Sequence, residues 1–272
     1  MCLFYGKGGN TVARFCPLFS GSSGNCLYVG NADSGILIDA GVSARRIETA
    51  LAAREIAPSA IRAILVTHEH SDHTSGLRVF QKRYHTPIYA SHGTLAALLE
   101  EKMVAETDNC FPVEEICLDD FEITAFPTSH DCRESNGFRI VLRDGRTVGI
   151  ATDLGYVTEA VREGLCGCDL VHIESNHDVR MLENGPYPYP LKRRILSERG
   201  HLSNEACAAE LSALLQNGTT RVMLGHLSRE NNLPALAHAT ALAALQVQGA
   251  VENRDFTLQV APPENAVSPL IF

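Results

Sequence analysis

The chain has 272 residues, of which 45% are hydrophobic and 20% are charged, and its formal net charge is −9 at pH 7. This composition excludes a mainly disordered chain, and the length is sufficient for one α/β domain with a large core. The acidic balance disfavours a protein that coats nucleic acid with its whole surface. It leaves room for a local polyanion site in which bound cations supply the positive charge.

The absence of an apolar run of about 18 residues argues against a membrane helix. The first residues, MCLFYGKGGNTVARF, lack the apolar core of a signal peptide. We therefore predict a cytoplasmic protein with no membrane partner. We expect a single domain over residues 1–272, in which 1–14 form an N-terminal extension and 261–272 form a tail.

Hydrophobic periodicity and turn residues predict alternating strands and helices. Strands are predicted at 15–19, 26–29, 35–39, 63–67, 122–127, 138–142, 147–152, 169–174 and 221–224. Helices are predicted at 43–54, 93–102, 157–164, 204–216 and 234–246. Asp144-Gly145 predicts a tight hairpin. The stretch 183–190, where prolines interrupt regular structure, is the only linker-like segment. Two mixed sheets packed face to face, with helices outside, account for this order.

The segment THEHSDHTSG, at 67–76, directly follows an apolar strand, so its polar side chains are expected in a loop at the carboxyl end of that strand. Three histidines and an aspartate fall within six positions, and imidazole and carboxylate are ligands that zinc and similar divalent metals accept. His68 and His70 can face one ion while Asp72 and His73 turn toward a second. The alternative is a polar surface turn with incidental histidines.

This segment resembles the HxHxDH signature of the metallo-β-lactamase superfamily. Further landmarks match in the same order, namely LIDAG with Asp39, TSHD with His130, ATDLG with Asp153 and LGHLS with His226. The resemblance implies an α+β fold, an αββα sandwich of two mixed β-sheets flanked by helices, with the site along one edge of the sheets.

The same resemblance implies two divalent metal ions per chain, which are zinc, manganese or iron. The implied ligands are His68, His70 and His130 for one ion, Asp72, His73 and His226 for the other, and Asp153 as the bridge. Asp39 is expected to orient a ligand rather than to bind metal. A plainer interpretation also exists: His130 and His226 can cap backbone groups at strand ends, and Asp39 can serve as a turn residue before Gly41.

Three other segments, SGSSGN at 20–25, ESNHD at 174–178 and GHLSNEACAAEL at 200–211, resemble the YycJ (also called WalJ) family, which is related to RNase Z and PhnP. This resemblance implies a phosphodiesterase that acts on nucleic acid, specifically a 5′–3′ DNA exonuclease associated with mismatch repair. The 72 residues between Asp153 and His226 are too few for the inserted cap domain of β-CASP nucleases.

The predicted catalytic residues are Asp72, Glu174 and His201. In RNase Z-like enzymes a glutamate and a His-Ser motif form a proton-shuttling pair, and Glu174 and His201 occupy those places here, although HLS replaces the usual HST. His201 can instead be a residue that simply precedes the helix whose N-cap is Ser203.

The predicted substrate contacts are His177 and a basic run, Lys192, Arg193 and Arg194, which is suited to backbone phosphates. The alternatives are a strand cap for His177 and a solvated helix face for the basic run. Two alternative functions stay open. One is a small-molecule hydrolase for a cyclic phosphodiester, thioester or lactone, and the other is a non-catalytic or di-iron redox protein.

Overall fold

The computed structural model describes residues 12–118, 120–264 and 270–271, which contain fourteen strands and nine α-helices. The strands are β1 Arg14–Phe19, β2 Cys26–Gly30, β3 Gly35–Ile38, β4 Ile61–Leu65, β5 Ile88–Ala90, β6 Cys110–Pro112, β7 Glu115–Leu118, β8 Phe121–Pro127, β9 Asn136–Leu142, β10 Thr147–Ala151, β11 Leu170–Glu174, β12 Arg221–Gly225, β13 Thr257–Val260 and β14 Leu270–Ile271. The helices are α1 Ala44–Ala52, α2 Ser71–Thr74, α3 Leu77–Tyr84, α4 His92–Glu100, α5 Glu159–Leu165, α6 Val179–Asn184, α7 Tyr189–Ile195, α8 Asn204–Gln216 and α9 Pro234–Val247.

The strands form two seven-stranded mixed sheets. The first has the order β14-β1-β2-β3-β4-β5-β6 and the second β13-β12-β11-β10-β9-β8-β7. In the first sheet β1 to β3 are antiparallel and β3 to β6 are parallel, whereas in the second β7 to β10 are antiparallel and β10 to β13 are parallel. Each sheet therefore has a parallel half whose strands end at one common edge.

Three layers of buried side chains hold the sheets and helices together. Phe15 and Ile36 of the first sheet pack with Phe138 of the second in the cluster between the sheets. Alternate residues of the first sheet, such as Leu37, face the outer cluster with α1, α3 and α4. A third cluster packs α5, α8 and α9 on the second sheet, through side chains such as Leu211. The predicted αββα sandwich is confirmed.

Every predicted strand and helix is present, with boundaries shifted by a few residues. β9 and β10 form the predicted hairpin, in which Leu142 N–H donates to Arg146 O. The predicted linker-like stretch 183–190 contains the break between two helices, because α6 ends at Asn184 and α7 begins at Tyr189. Pro188 is the N-cap of α7 and Pro190 lies in its first turn, where the missing N–H of proline leaves no helical hydrogen bond unmade.

The single domain, its extension and its tail stay predictions. Residues 1–11 of the extension and 265–269 of the tail lie outside the described residues, and Arg14 already begins β1. Leu270–Ile271 pairs antiparallel with β1, which places the end of the predicted tail in the first sheet. In the part of the chain that the structure describes, no helix is long and apolar enough to cross a membrane.

The loops after β3 and β4 pack closely against each other at the sheet edge. Gly41 N–H donates to Asn25 O and Asn25 N–H donates to Asp72 O, each over 2.8 Å. A Cβ atom on Gly41 would lie 1.7 Å from the Asp72 carbonyl oxygen. Only glycine therefore allows the loop that carries Asp72 to lie this close.

We predict that Gly41→Ala displaces the Asp72 loop, lowers the free energy of unfolding by about 1–3 kcal/mol as overpacking does, and weakens zinc binding in a titration. The matched control is Gly145→Ala, in open space at the hairpin tip with φ of +87°. That substitution should lower the free energy of unfolding by about 1–2 kcal/mol, because residue 145 has a left-handed backbone conformation. It should leave zinc affinity unchanged. Equal zinc affinity in both variants would contradict the prediction.

Candidate metal centre and cleft

The predicted site residues meet because they follow strands whose carboxyl ends share the same edge of the sandwich. Asp39 follows β3 and His68 follows β4 in the first sheet, and Asp153 and His226 follow β10 and β12 in the second. Since the two sheets face each other, ligand atoms of His68, His73 and Asp153 come within 4.8 Å of one another across the interface. With His130, which follows β8, the polar cluster is thus built from five separate loops.

All seven predicted metal ligands belong to this cluster. Three groups of them offer ligand atoms within 4.8 Å of one another: His68, His70 and His130; Asp72, His73 and His226; and His68, His73 and Asp153. The first two groups coincide with the two ligand sets that the sequence resemblance implied. Imidazoles with buried carboxylates are a donor set that divalent metals accept, so the residues fit the implied cofactor.

Asp153 lies at the centre of the cluster and is only 2% exposed. Its Oδ2 is 3.1 Å from His226 Nδ1 and 3.4 Å from His73 Nε2. Its Oδ1 is 3.7 Å from His130 Nε2. One carboxylate therefore faces histidines of both predicted ligand sets.

The electrostatics of the cluster are dominated by burial and by Asp153. Burial raises the pKa of Asp153, but the neighbouring His226 and His73 outweigh it and hold that pKa well below its usual value. Burial lowers the pKa of His73, but Asp39 and Asp153 raise it to about 10. Burial also lowers the pKa of His226, but Asp153 outweighs it and raises that pKa to about 9. Protons thus balance the buried carboxylates in the protein alone, and cations that bind here must displace them.

Three site residues adopt left-handed backbone conformations that non-glycine residues rarely use. The φ angles are +63° at Asp39, +58° at Asp153 and +53° at His226. Such conformations cost of order 1–3 kcal/mol each and persist only where the surrounding structure fixes them. Each of the three residues lies one or two positions after the end of a strand.

Asp39 contacts His73 through the ring nitrogen that does not face Asp72 and Asp153. Its Oδ2 lies 2.7 Å from His73 Nδ1. Its Oδ1 accepts a hydrogen bond of 2.8 Å from the Thr67 backbone N–H, and the Thr67 hydroxyl donates to the same carboxylate. The carboxylate is thereby occupied by protein donors, and His73 Nε2 is directed toward Asp72 and Asp153.

Glu174 and His201 form a direct pair beside the cluster. His201 Nδ1 lies 2.8 Å from Glu174 Oε1, while Glu174 Oε2 accepts backbone hydrogen bonds from Leu154 (2.8 Å) and Leu202 (3.0 Å). Glu174 is fully buried, whereas His201 lines the cleft. Burial lowers the pKa of His201, but Glu174 outweighs it and the net shift is upward.

Sequence reasoning missed the groups that fix the ligands from outside. His130 Nδ1 lies 3.1 Å from the Gly200 carbonyl, and Asn176 Nδ2 donates to His226 O over 2.8 Å. Asn25 Nδ2 lies 3.1 Å from His73 Nε2. Asn25 and Asn176 belong to the SGSSGN and ESNHD segments, so the signal was present without an assigned role. Gly200 begins the GHLSNEACAAEL segment, but its carbonyl could not be assigned a role from the sequence, because any residue type supplies that atom.

A network of buried amides extends this support to the start of α8. Asn232 Nδ2 donates to Ser175 O and Asn176 O, over 2.9 and 3.0 Å. Asn204 Nδ2 donates to Asn232 Oδ1 over 2.9 Å, and the Ser175 hydroxyl donates to Asn204 Oδ1 over 2.6 Å. The network joins the segment after Glu174 to the loop after His226.

The cluster opens into a cleft of about 290 Å³. Asp72, Asp153 and His226 line one part of it, which we call the inner wall, and Leu191 and Ile195 of α7 line another part, which we call the outer wall. The candidate ligands and His201 are therefore within reach of a molecule held in the cleft.

Two of the predicted substrate contacts, His177 and Lys192, are absent from the cleft lining in the described part of the chain. His177 is 1% exposed, and among the described residues neither of its ring nitrogens has a hydrogen-bond partner. Burial lowers the pKa of His177 to about 4. The Lys192 ammonium donates to Glu183 O and Gly185 O.

Arg194 does line the cleft, but its guanidinium binds Asp131 through two nitrogens. Arg193 is exposed on α7 and is absent from the cleft lining in the described part of the chain. Of the four predicted contacts, the structure therefore brings only Arg194 to the cleft. Its charge is already paired there.

Two facing mixed sheets, helices on both outer faces and a histidine–carboxylate cluster at the shared edge define a metallo-β-lactamase fold. The beta-lactamase superfamily domain model matches residues 35–227. The chain belongs to the beta-lactamase superfamily, as its motifs predicted.

Two curated relatives are similar along nearly the whole chain. The exodeoxyribonuclease WalJ of Streptococcus pneumoniae serotype 2 is 36% identical over 258 residues, which cover 93% of this chain and 96% of WalJ. The exodeoxyribonuclease YycJ of Bacillus anthracis is 36% identical over 254 residues, which cover 92% of this chain and 96% of YycJ. The resemblance to the YycJ (WalJ) family is confirmed.

Among solved structures, zinc-bound PqqB from Methylobacterium extorquens has the same fold. It superimposes with a TM-score of 0.67 at 17% identity, covering 93% of this chain and 98% of PqqB.

Proposed function

We propose that this protein is a dinuclear metal-dependent phosphodiesterase that degrades DNA as a 5′–3′ exonuclease. The observation that carries the proposal is the Glu174–His201 pair, which stands beside seven candidate ligands at the wall of one cleft. The similarity to two exodeoxyribonucleases supports DNA as the substrate class. The direction of digestion, and a role in DNA repair, rest on the family resemblance of the sequence motifs.

Two metal ions, zinc, manganese or iron, are the proposed cofactors. We assign His68, His70 and His130 to one ion, Asp72, His73 and His226 to the other, and Asp153 to both. When bound, such ions act as Lewis acids and provide a nucleophile at neutral pH. Asp39 holds His73 through Nδ1, and Gly200 and Asn176 hold the His130 and His226 segments, so the protein arranges these donors in advance.

Within this scheme His201 supplies the proton for the leaving oxygen. Glu174 accepts three protein hydrogen bonds and is thereby fixed as the partner of His201 Nδ1, which leaves His201 Nε2 for the cleft. Glu174 and His201 can also be grouped geometrically with Asp153 and His226 as ligands. We favour the proton role, because the carboxylate oxygens of Glu174 are already occupied by protein donors.

The small-molecule alternative, hydrolysis of a cyclic phosphodiester, thioester or lactone, uses the same ligands, and a di-iron redox role would use the cluster without His201. A cytoplasmic location and a single hydrolase domain over 1–272 complete the proposal.

We expect two tightly bound divalent metals per chain in the wild type, measured by elemental analysis after saturation and dialysis. Asp153→Ala should weaken both sites, because this carboxylate contacts histidines of both sets. His226→Ala should empty mainly one. His238→Ala, whose ring pairs with Glu252, is the control and should retain both metals. A wild type with at most one metal, or equal losses in Asp153→Ala and His226→Ala, would contradict the assignment.

We expect cleavage of 5′-labelled DNA, with binding that weakens as salt rises because phosphate contacts release counterions. The measurement compares labelled DNA and RNA, a generic phosphodiester, a lactone and a thioester, followed by a salt titration of DNA affinity. Turnover of lactone or thioester without phosphodiester cleavage would refute the proposal. Salt-independent binding would favour a small substrate.

We expect His201→Ala to keep its full metal content while the chemical step on DNA slows by roughly 100-fold or more, the scale of general acid catalysis. A p-nitrophenyl phosphodiester, whose leaving group needs no proton, should be affected far less. Glu174→Gln should show the same pattern more mildly. The double variant should be little worse than His201→Ala, because paired residues act non-additively.

Metal analysis and single-turnover kinetics on both substrates decide the role of His201. Loss of metal in His201→Ala would make it a ligand. Equal slowing of the two substrates would exclude the general-acid role.

A further inference from the structure

The outer wall of the cleft is apolar and aromatic apart from Arg194. Leu191 and Ile195 lie four residues apart on one face of α7, and both line the cleft together with Tyr187, two residues before the helix. Tyr187 is half-buried, whereas Tyr189, 72% exposed, points away from the lining. This wall offers one ring and two aliphatic side chains, and it plays no part in the proposed chemistry.

Hydrogen bonds connect the outer wall to the loop that carries His130. Arg194 of α7 pairs through two nitrogens with Asp131, the residue after His130. Arg199 donates to the His130 carbonyl over 3.1 and 3.2 Å. The Lys192 ammonium closes the turn between α6 and α7 through two carbonyls. The position of the outer wall relative to the His130 loop is therefore set by the fold, and Lys192 and Arg194 of the basic run contribute to it.

The two walls are suited to bind different parts of one nucleotide. The inner wall presents carboxylates and imidazoles, which suit a metal-bound phosphodiester, while the outer wall suits the flat face of a base. A volume of about 290 Å³ is at the lower end of small-ligand sites, which suits one nucleotide better than a base pair. A base held there has left the duplex, as in enzymes that extrude a nucleotide before acting on it.

We propose that Tyr187, backed by Leu191 and Ile195, stacks on the unpaired base of the terminal nucleotide while its phosphodiester lies at the ligand cluster. The inference rests on the proposed function and specifies how that site takes its substrate. Stacking of this kind tolerates every base, because each has a π-face, so it suits an exonuclease that must advance through any sequence.

The test combines an enzyme change with a substrate change. Wild type and Tyr187→Ala, both metal-loaded, digest single-stranded DNA whose 5′-terminal nucleotide is normal or abasic. Stacking on an aromatic ring corresponds to roughly 5- to 140-fold per base. We expect a loss in kcat/KM of that size for Tyr187→Ala on normal DNA, a similar loss for the wild type on abasic-ended DNA, and almost no further loss when the two are combined. Tyr187→Phe should behave as wild type, and Tyr189→Ala is the exposed control.

Additive losses, or unchanged cleavage of abasic-ended DNA, would overturn the stacking role while leaving the nuclease proposal intact. An effect confined to abasic sites inside the strand would overturn the terminal assignment. Equal loss in Tyr187→Phe and Tyr187→Ala would mean that the phenol hydroxyl acts instead of the ring. A wild type that fails to cleave DNA would remove both proposals together.

Discussion

The burial of the Asp153 carboxylate is the constraint on which the rest of the site depends. A charged group at 2% exposure is costly unless cations or donors surround it. His226, His73 and His130 approach it from three different loops. Despite their burial, neighbouring carboxylates raise the pKa values of His226 and His73 and so favour their protonated forms, whereas burial lowers the pKa of His130. Divalent cations can replace those protons, which makes the same arrangement a place for metal. The left-handed backbone at Asp153 and His226 is retained because these contacts compensate its cost.

Precision in this cluster comes from neighbours that bind no metal themselves. Asp39 and Thr67 fix one side of His73, and the buried amides of Asn176, Asn204 and Asn232 fix the loops of the second sheet. Because these groups are satisfied by one another, a change in any one leaves a buried polar atom without its partner. The close approach at Gly41 adds a steric condition of the same kind. The site is thus supported by hydrogen bonds and packing behind the ligands as much as by the ligands.

The two walls of the cleft differ in their chemistry. The inner wall concentrates charge and carries His201, held by a fully buried glutamate, and the outer wall is an apolar face of α7 fastened through Arg194 and Arg199. Arg194 lines the cleft, but its charge is paired with Asp131. In the proposed function the metal ions, and not arginines, meet the phosphate.

The sequence by itself predicted the sandwich and the four donors of HxHxDH, and its family resemblance added His130, Asp153 and His226 as candidate ligands. Strand and helix periodicity is a local property, and HxHxDH directly after an apolar strand places its donors in one loop, so both can be read along the chain. Only the tertiary structure decided what Lys192, Arg194 and His177 contact, because side-chain partners far apart in sequence depend on loop paths that no local pattern encodes. It also showed that the apparent linker is a short break between α6 and α7, since a proline at a helix start and a proline in a loop look alike in sequence. The supporting carbonyl of Gly200 and the cleft wall at Tyr187 became visible for the same reason: they act through position rather than residue type.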